Sequence, residues 1–202
     1  MLKRAFTMLE LVFVIVVAGI LAISIIPQLE RDNIGEAAHQ VARHIRLAQH
    51  HALVDDRFDG SLDWYRSMWQ IAFRTTNFCY VVYRDVDKAG NADVVESAVD
   101  PLTKKRVYSN TSCSENPLYT DETLLWKKYG VDSISLTGCG SNSYIAFDHM
   151  GRPHQDLTSA TNFLQSNCLI NIGTNDGKSA TITIYQDTGF VKVTTIDGVT
   201  MP

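Results

Sequence analysis

The 202-residue sequence has little excess of charge of either sign: 18 Lys and Arg stand against 22 Asp and Glu, a formal net charge of -4. That balance lacks the basic footprint with which proteins hold nucleic acid, and nothing in the sequence points to such a partner. Cysteine is scarce. Four residues are too few for a disulfide-dense miniprotein and enough for two bridges in an oxidising compartment. No P-loop, GxSxG, CxxC, CxxCH or zincin helix motif occurs, so no motif orders the available Ser, His and Asp residues into a catalytic set. The chain is expected not to be an enzyme. There is no internal repeat and no low-complexity linker. At 45% hydrophobic and 20% charged residues, the composition excludes a disordered chain, a collagen and a multi-span membrane protein. The length suits about one domain with an appendage.

What is present is one long apolar run. Residues 6–26 read FTMLELVFVIVVAGILAISII, 21 residues with Glu10 as the single charge. At 1.5 Å per residue such a helix spans about 31 Å, the thickness of a bilayer core. Lys3 and Arg4 precede it, which by the positive-inside rule predicts a single-pass inner-membrane segment with a cytoplasmic N-terminus and a periplasmic head. Ile25-Ile26-Pro27-Gln28 is a poor signal-peptidase site. A plain anchor does not explain Glu10, because a carboxylate inside an apolar span marks function by default.

Beyond Pro27 the pattern becomes amphipathic. Ile34, Ala38, Val41, Ile45, Ala48 and Ala52 recur at the spacing of one helix face. Glu36, His39, Arg43, His44, Arg46, Gln49 and His50 fall on the others. Pro27 removes a helix hydrogen bond and kinks the chain, so residues 6–54 are expected to form one long, bent helix. Short β-branched and aromatic runs follow at 69–74, 78–84, 131–136, 143–147, 168–172, 180–185 and 190–196, each flanked by turn residues. Residues 120–129 fit either a short helix stopped by Gly130 or a strand. The polar stretch 85–117 reads as a variable surface loop. The fold class is α+β, with a long N-terminal helix packed on an antiparallel β-rich head.

Ala5-Phe6-Thr7-Met8-Leu9-Glu10-Leu11 resembles the processing motif of type IV pilins and type II secretion pseudopilins: a short basic leader, a small residue, Phe, Thr, two apolar residues, Glu, then a long apolar helix. The family prefers Gly before the cut, where this chain has Ala5. Two further segments, Tyr144 to Pro153 and Ile182 to Val193, are loosely similar to minor pilins. The resemblance implies a pilin-like fold organised as leader 1–5, transmembrane and filament-core helix 6–26, amphipathic continuation 27–54 and head 55–202. It implies cleavage between Ala5 and Phe6 by a prepilin peptidase, N-methylation of Phe6, and pairing of the Phe6 amine with Glu10 of a neighbouring subunit. Its partners would be other pilin or pseudopilin subunits, the peptidase and an inner-membrane assembly platform. The expected function is a structural subunit, a minor pilin or pseudopilin, of a type IV pilus or of a secretion or DNA-uptake filament. A major pilin and a signal-anchored periplasmic binding protein that does not polymerise stand as alternatives.

Four cysteines allow three pairings, and Cys79–Cys113 with Cys139–Cys168 is favoured. Asp85, Asp87, Asp93 and Glu96 fall at positions 1, 3, 9 and 12 of a twelve-residue loop, with Gly90 at 6 and Asn91 at 7. That is the EF-hand calcium spacing, although position 5 is Ala89 and the preceding segment reads as a strand. Some pseudopilins carry a calcium-stabilised loop, so the resemblance is compatible with calcium; an acidic hairpin tipped by Gly90-Asn91 is the other reading. His149 and His154 with Asp148 and Asp156 form a polar turn in which metal ligation is the less favoured reading.

Overall fold

A computed structural model describes residues 8–25, 33–55, 60–140 and 143–201. The chain divides into two compact units, Met1–Asp32 and Asn33–Pro202. In the first, α1 is Met8–Ile25, apolar on every side, with Glu10 in its first turn. Its large side chains are exposed, from Met8 at 83% to Val17 at 38%. Among the described residues no helix is long and apolar enough to cross a membrane. α1 has 18 residues, a rise of about 27 Å against a hydrocarbon core of roughly 30 Å. The expected single-pass inner-membrane segment, with the N-terminus cytoplasmic and the head periplasmic, is therefore corrected. Ala5, Phe6, Pro27 and the proposed kink lie outside the described residues; what is described of the expected long helix is two pieces, the short α1 (Met8–Ile25) and α2 (Asn33–Val54).

In the second unit, α2 runs Asn33–Val54 and buries Ile34, Ala37, Ala38, Val41, Ala42, Ile45, Ala48 and Ala52. This is the expected stripe, widened by Ala37 and Ala42. Alanine has no side-chain entropy to lose in a helix and lets a sheet approach closely. α2 packs on two antiparallel sheets. The strands of the first are β1 (Trp69–Arg74), β2 (Cys79–Arg84), β4 (Tyr144–Phe147) and β5 (Pro153–His154), in the order β2-β1-β4-β5. The second contains β3 (Val131–Thr137), β6 (Cys168–Thr174), β7 (Ser179–Ile184), β8 (Val191–Ile196) and β9 (Val199–Thr200), in the order β3-β6-β7-β8-β9. The unit is α+β with antiparallel sheets. Strand alternation sends Ile71, Phe73, Val82, Ile145 and Phe147 from one sheet, and Ile170, Ile172, Ile182, Ile184 and Val191 from the other, into one core with α2.

Residues 120–129 resolve as helix. Thr120 Oγ1 accepts the Glu122 N–H at the start of a 3-10 turn over Asp121–Thr123. α3 (Leu125–Tyr129) follows and ends at Gly130, whose φ of 72° is the left-handed cap only glycine takes freely. The stretch 85–117, expected to be a variable loop, instead covers the open edge of β2. Ala98 N–H donates to Val82 O, Val82 N–H to Val107 O and Val107 N–H to Ala98 O. A strand edge left bare is a template for unwanted pairing, and these bonds close it. Both disulfides pair as favoured, Cys79–Cys113 and Cys139–Cys168. The second follows from register: Thr137 lies opposite Leu169 across β3 and β6, so Cys139, two residues beyond β3, lies beside Cys168, the first residue of β6.

The β7–β8 turn is held to α2 by one amide. Gln49 Nε2 donates to Gly151 O at 2.9 Å and to Thr188 O at 3.1 Å. A Cβ on Gly189, where φ is +67°, would overlap the Gly151 carbonyl oxygen and lie 2.6 Å from Gln49 Nε2. Gly177 has a similar φ of +86° but nothing within 4 Å. Gly177→Ala carries only the left-handed strain of about 1–2 kcal/mol. Gly189→Ala is expected to cost at least about 1 kcal/mol more, measured as the difference between the two variants in urea unfolding of the full-length chain.

Candidate functional site

Three groups of chemistry-bearing residues stand out, and the structure sorts them differently from the sequence. The first is Glu10, in the first turn of α1 and exposed among apolar neighbours. Its expected partner, the Phe6 amine, lies outside the described residues.

The second is the acidic loop after β2. Asp85, Asp87 and Glu96 each bring a carboxylate oxygen within 4.8 Å of the others. Asp85 accepts the Ala89 and Gly90 N–H groups at 3.0 and 2.7 Å. Glu96 Oε1 accepts the Val86 N–H at 2.7 Å, while its Oε2 is buried with no hydrogen-bond partner. Burial raises the Asp85 pKa, and the neighbouring Asp87 adds to the rise against the lowering effect of the Gly90 and Ala89 amides. Three crowded carboxylates with one orphaned oxygen fit a cation. The other two predicted ligands are not gathered in: Asn91 Nδ2 donates to Asp93 Oδ1 at 3.2 Å instead. Nor are the flanks those of an EF-hand, since β2 precedes the loop and a 3-10 turn over Val94–Glu96 closes it. A hard cation would therefore bind through Asp85, Asp87 and Glu96, completing its shell with water, and would neutralise the loop.

The third group was not visible in the sequence. His44, read there as a polar-face residue, is fully buried on the face of α2 that meets β2. Gln40 Nε2 points at His44 Nε2 at 3.2 Å, which makes that nitrogen the acceptor. Nδ1 then carries the proton and donates to Tyr80 Oη at 2.7 Å, and Tyr80 donates onward to Glu122 O at 3.2 Å. Beside this chain Arg43 bridges Asp100 at 3.2 Å and Glu122 at 2.9 Å, and Lys128 reaches Glu122 at 3.0 Å. His44, Asp100 and Glu122 have the composition of a metal site, but Arg43 already supplies the cation. Burial, then the Arg43 charge, lowers the His44 pKa to about 4, so the ring is neutral and its 3.8 Å approach to Asp100 is no ion pair. The network is a polar lock between α2, β2 and the 97–123 segment. A side chain on helix periodicity carries no sign that a tyrosine 36 positions away will reach it.

The histidine turn does not converge on a metal. Asp148 accepts from Arg152 and from the Met150 and Arg152 N–H groups, His154 is buried 3.6 Å from it, His149 is exposed, and Asp156 is engaged by Thr158 and Asn162. The chain matches no family model, no curated protein and no solved structure.

Two measurements follow from these geometries. His44 titrates lower in the folded chain than its ordinary 6.5, so the unfolded chain binds the extra proton between those values. The stabilisation is complete above pH 6.5 and is lost as pH falls towards about 4, in total roughly 3 kcal/mol. Thermal unfolding of the full-length chain should show that decline, and His44→Gln should flatten it over this window. For the acidic loop, the unfolding midpoint is expected to be higher in calcium than in chelator, with up to about 2.7 kcal/mol gained at a hundredfold excess over Kd. Asp87→Ala combined with Glu96→Ala should abolish the difference.

Proposed function

We propose that this chain is a structural subunit, a minor pilin or pseudopilin, of a filament built from pilin-like proteins, with a mechanical rather than catalytic role. The observation that carries the reading is α1: an 18-residue helix, apolar on all sides, exposed from Met8 to Leu21 and interrupted by one carboxylate in its first turn. An isolated helix of this kind buries nothing on itself, and exposed apolar surface on this scale marks an interaction site. Copies of the same helix, packed side by side, would bury it. The sequence around it, Ala5 to Leu11, supports processing between Ala5 and Phe6 by a prepilin peptidase and methylation of Phe6. The Phe6 amine would then face Glu10 of a neighbouring copy. In a water-poor filament core the attraction between such charges falls steeply with separation, so the pair would fix axial register between subunits. The Asn33–Pro202 unit, which holds two disulfides, would form the self-contained part of each subunit. Other subunits, the peptidase and an assembly platform are the partners this reading requires.

Glu10→Ala separates a register-setting charge from a dispensable one. Incorporation into sheared fibres or crosslinked oligomers is expected to fall at least about tenfold, because removing one partner leaves the other charge buried and uncompensated. Expression and the disulfide-bonded unit should be unchanged. Equal incorporation of the variant would overturn the pairing. Failure of the unaltered chain to enter any fibre or crosslinked oligomer would overturn the subunit reading itself.

A further inference from the structure

The β2-β1-β4 face turned away from α2 holds a cavity of about 180 Å³, lined by Gln70, Tyr83 and Tyr144 from the strands, Asp85 from the acidic loop, and Arg66 from the 3-10 turn Trp64–Ser67. Gln70 and Tyr83 sit directly opposite each other across β1 and β2. Both residues are nearly buried, at 2% and 7% exposure. Neither side chain is among the described polar atoms that are both buried and unpartnered, and both line the cavity, where a ligand could take up their hydrogen-bonding capacity.

The lining specifies the chemistry of what would fill it. The Gln70 amide both donates and accepts, and so does the Tyr83 hydroxyl; Tyr144 Oη already accepts the Leu157 N–H at 3.2 Å and contributes mainly its ring. A phenol carries its proton at neutral pH, so the Tyr83 hydroxyl can donate as well as accept. The two charges are of opposite sign and both are already occupied on one side. Asp85 accepts the Gly90 N–H at 2.7 Å, and Arg66 donates to Lys88 O at 2.6 Å. The cavity thus offers no net charge, groups that donate and accept at once, and aromatic ring surface. A ligand of matching character is neutral, carries several hydroxyls and has an apolar face. The volume is below the roughly 300 Å³ at which drug-sized pockets begin, which limits the occupant to about one ring. We propose that this cavity binds a single neutral sugar ring, a hexopyranose, either free or at the end of a glycan. This site is independent of the filament reading, since no part of α1 contributes to it.

The competing occupants are ordered water and a zwitterionic amino acid, whose carboxylate and amine would take Arg66 and Asp85. The test is an NMR titration of the isotope-labelled full-length chain in a sugar-free detergent at fixed calcium. The readouts are the Gln70 side-chain amide and the Gly90 backbone amide, which also lines the cavity. Glucose, galactose, mannose and N-acetylglucosamine are added free and as methyl glycosides, with glycine and alanine as the zwitterionic arm. Saturable shifts are expected with at least one hexose, free or glycosidic. Tyr83→Phe, which deletes one hydroxyl, and Gln70→Met should each weaken binding about tenfold, read at Gly90. If Gln70→Met fails to fold, Tyr83→Phe decides alone. Three outcomes would overturn the proposal: no saturable shift with any hexose, which leaves water as the occupant; saturation by the amino acids and not by the sugars; or hexose affinity unchanged in the variants.

Discussion

Both sheets of the Asn33–Pro202 unit close on a single helix, and the side chains that let them do so are small. Ala37, Ala38, Ala42, Ala48 and Ala52 are all buried along α2, which touches β1, β2 and β4 on one side and β6, β7 and β8 on the other. Two sheets cannot both reach a helix padded by leucines without moving apart from each other. With methyl groups at the contact, the larger residues of the sheets, such as Ile71, Phe147, Ile172 and Ile182, fill the space between the layers. The core has one helix as its axis, and packing at native density makes each of those alanines intolerant of enlargement.

The same helix carries the polar links that set where the loops lie. Gln49 holds the two turns at 151 and 188, Arg46 donates to Val191 O at 2.7 Å, Arg43 bridges two carboxylates, and His44 opens the chain through Tyr80. These are contacts between residues many tens of positions apart, so none forms until the sheets are in place. They act as a check on the assembled topology more than as a source of stability. A wrong register would leave His44 and Asp100 buried without partners, and that cost is larger than the net gain of the correct bonds.

How much of this the sequence disclosed depends on whether the signal is local. The α2 stripe and the run of β1 from Trp69 to Arg74 are local, governed by periodicity, and they were legible; before Gly130 the sequence left helix and strand open, and the structure forms the helix. The convergence of Asp85, Asp87 and Glu96 was legible too, because a short loop leaves few ways to separate them. The burial of His44 was not legible, since the position falls between the apolar residues Val41 and Ile45 and only the distant Tyr80 makes the site polar. The pairing of β4 with β1 in the first sheet was not legible either, because strand order is a non-local choice that alternation does not encode. The membrane span failed for a different reason. A count of apolar letters over 6–26 ran longer than the helix described, and a few residues decide whether a helix reaches across a hydrocarbon layer.

The two units make opposite demands on their surroundings. Asn33–Pro202 buries its apolar residues on itself, covers its β2 edge with its own 98–107 segment and gives the buried Asp100 and Asp148 partners of opposite sign. α1 does none of this. A lone apolar helix gains nothing from water, and no length of amphipathic stripe elsewhere in the chain changes that, since burial is satisfied only by contact. The free energy available for association is therefore concentrated in α1, while any ligand chemistry, whether at the acidic loop or in the cavity beside Gln70, sits on the other unit. In the filament proposed above, this division would leave the Asn33–Pro202 unit free to vary in sequence without altering how copies of α1 pack, and a ligand site on that unit would be repeated from copy to copy. Weak single-site binding would then gain through repetition, because linked copies raise the local concentration of each unoccupied site.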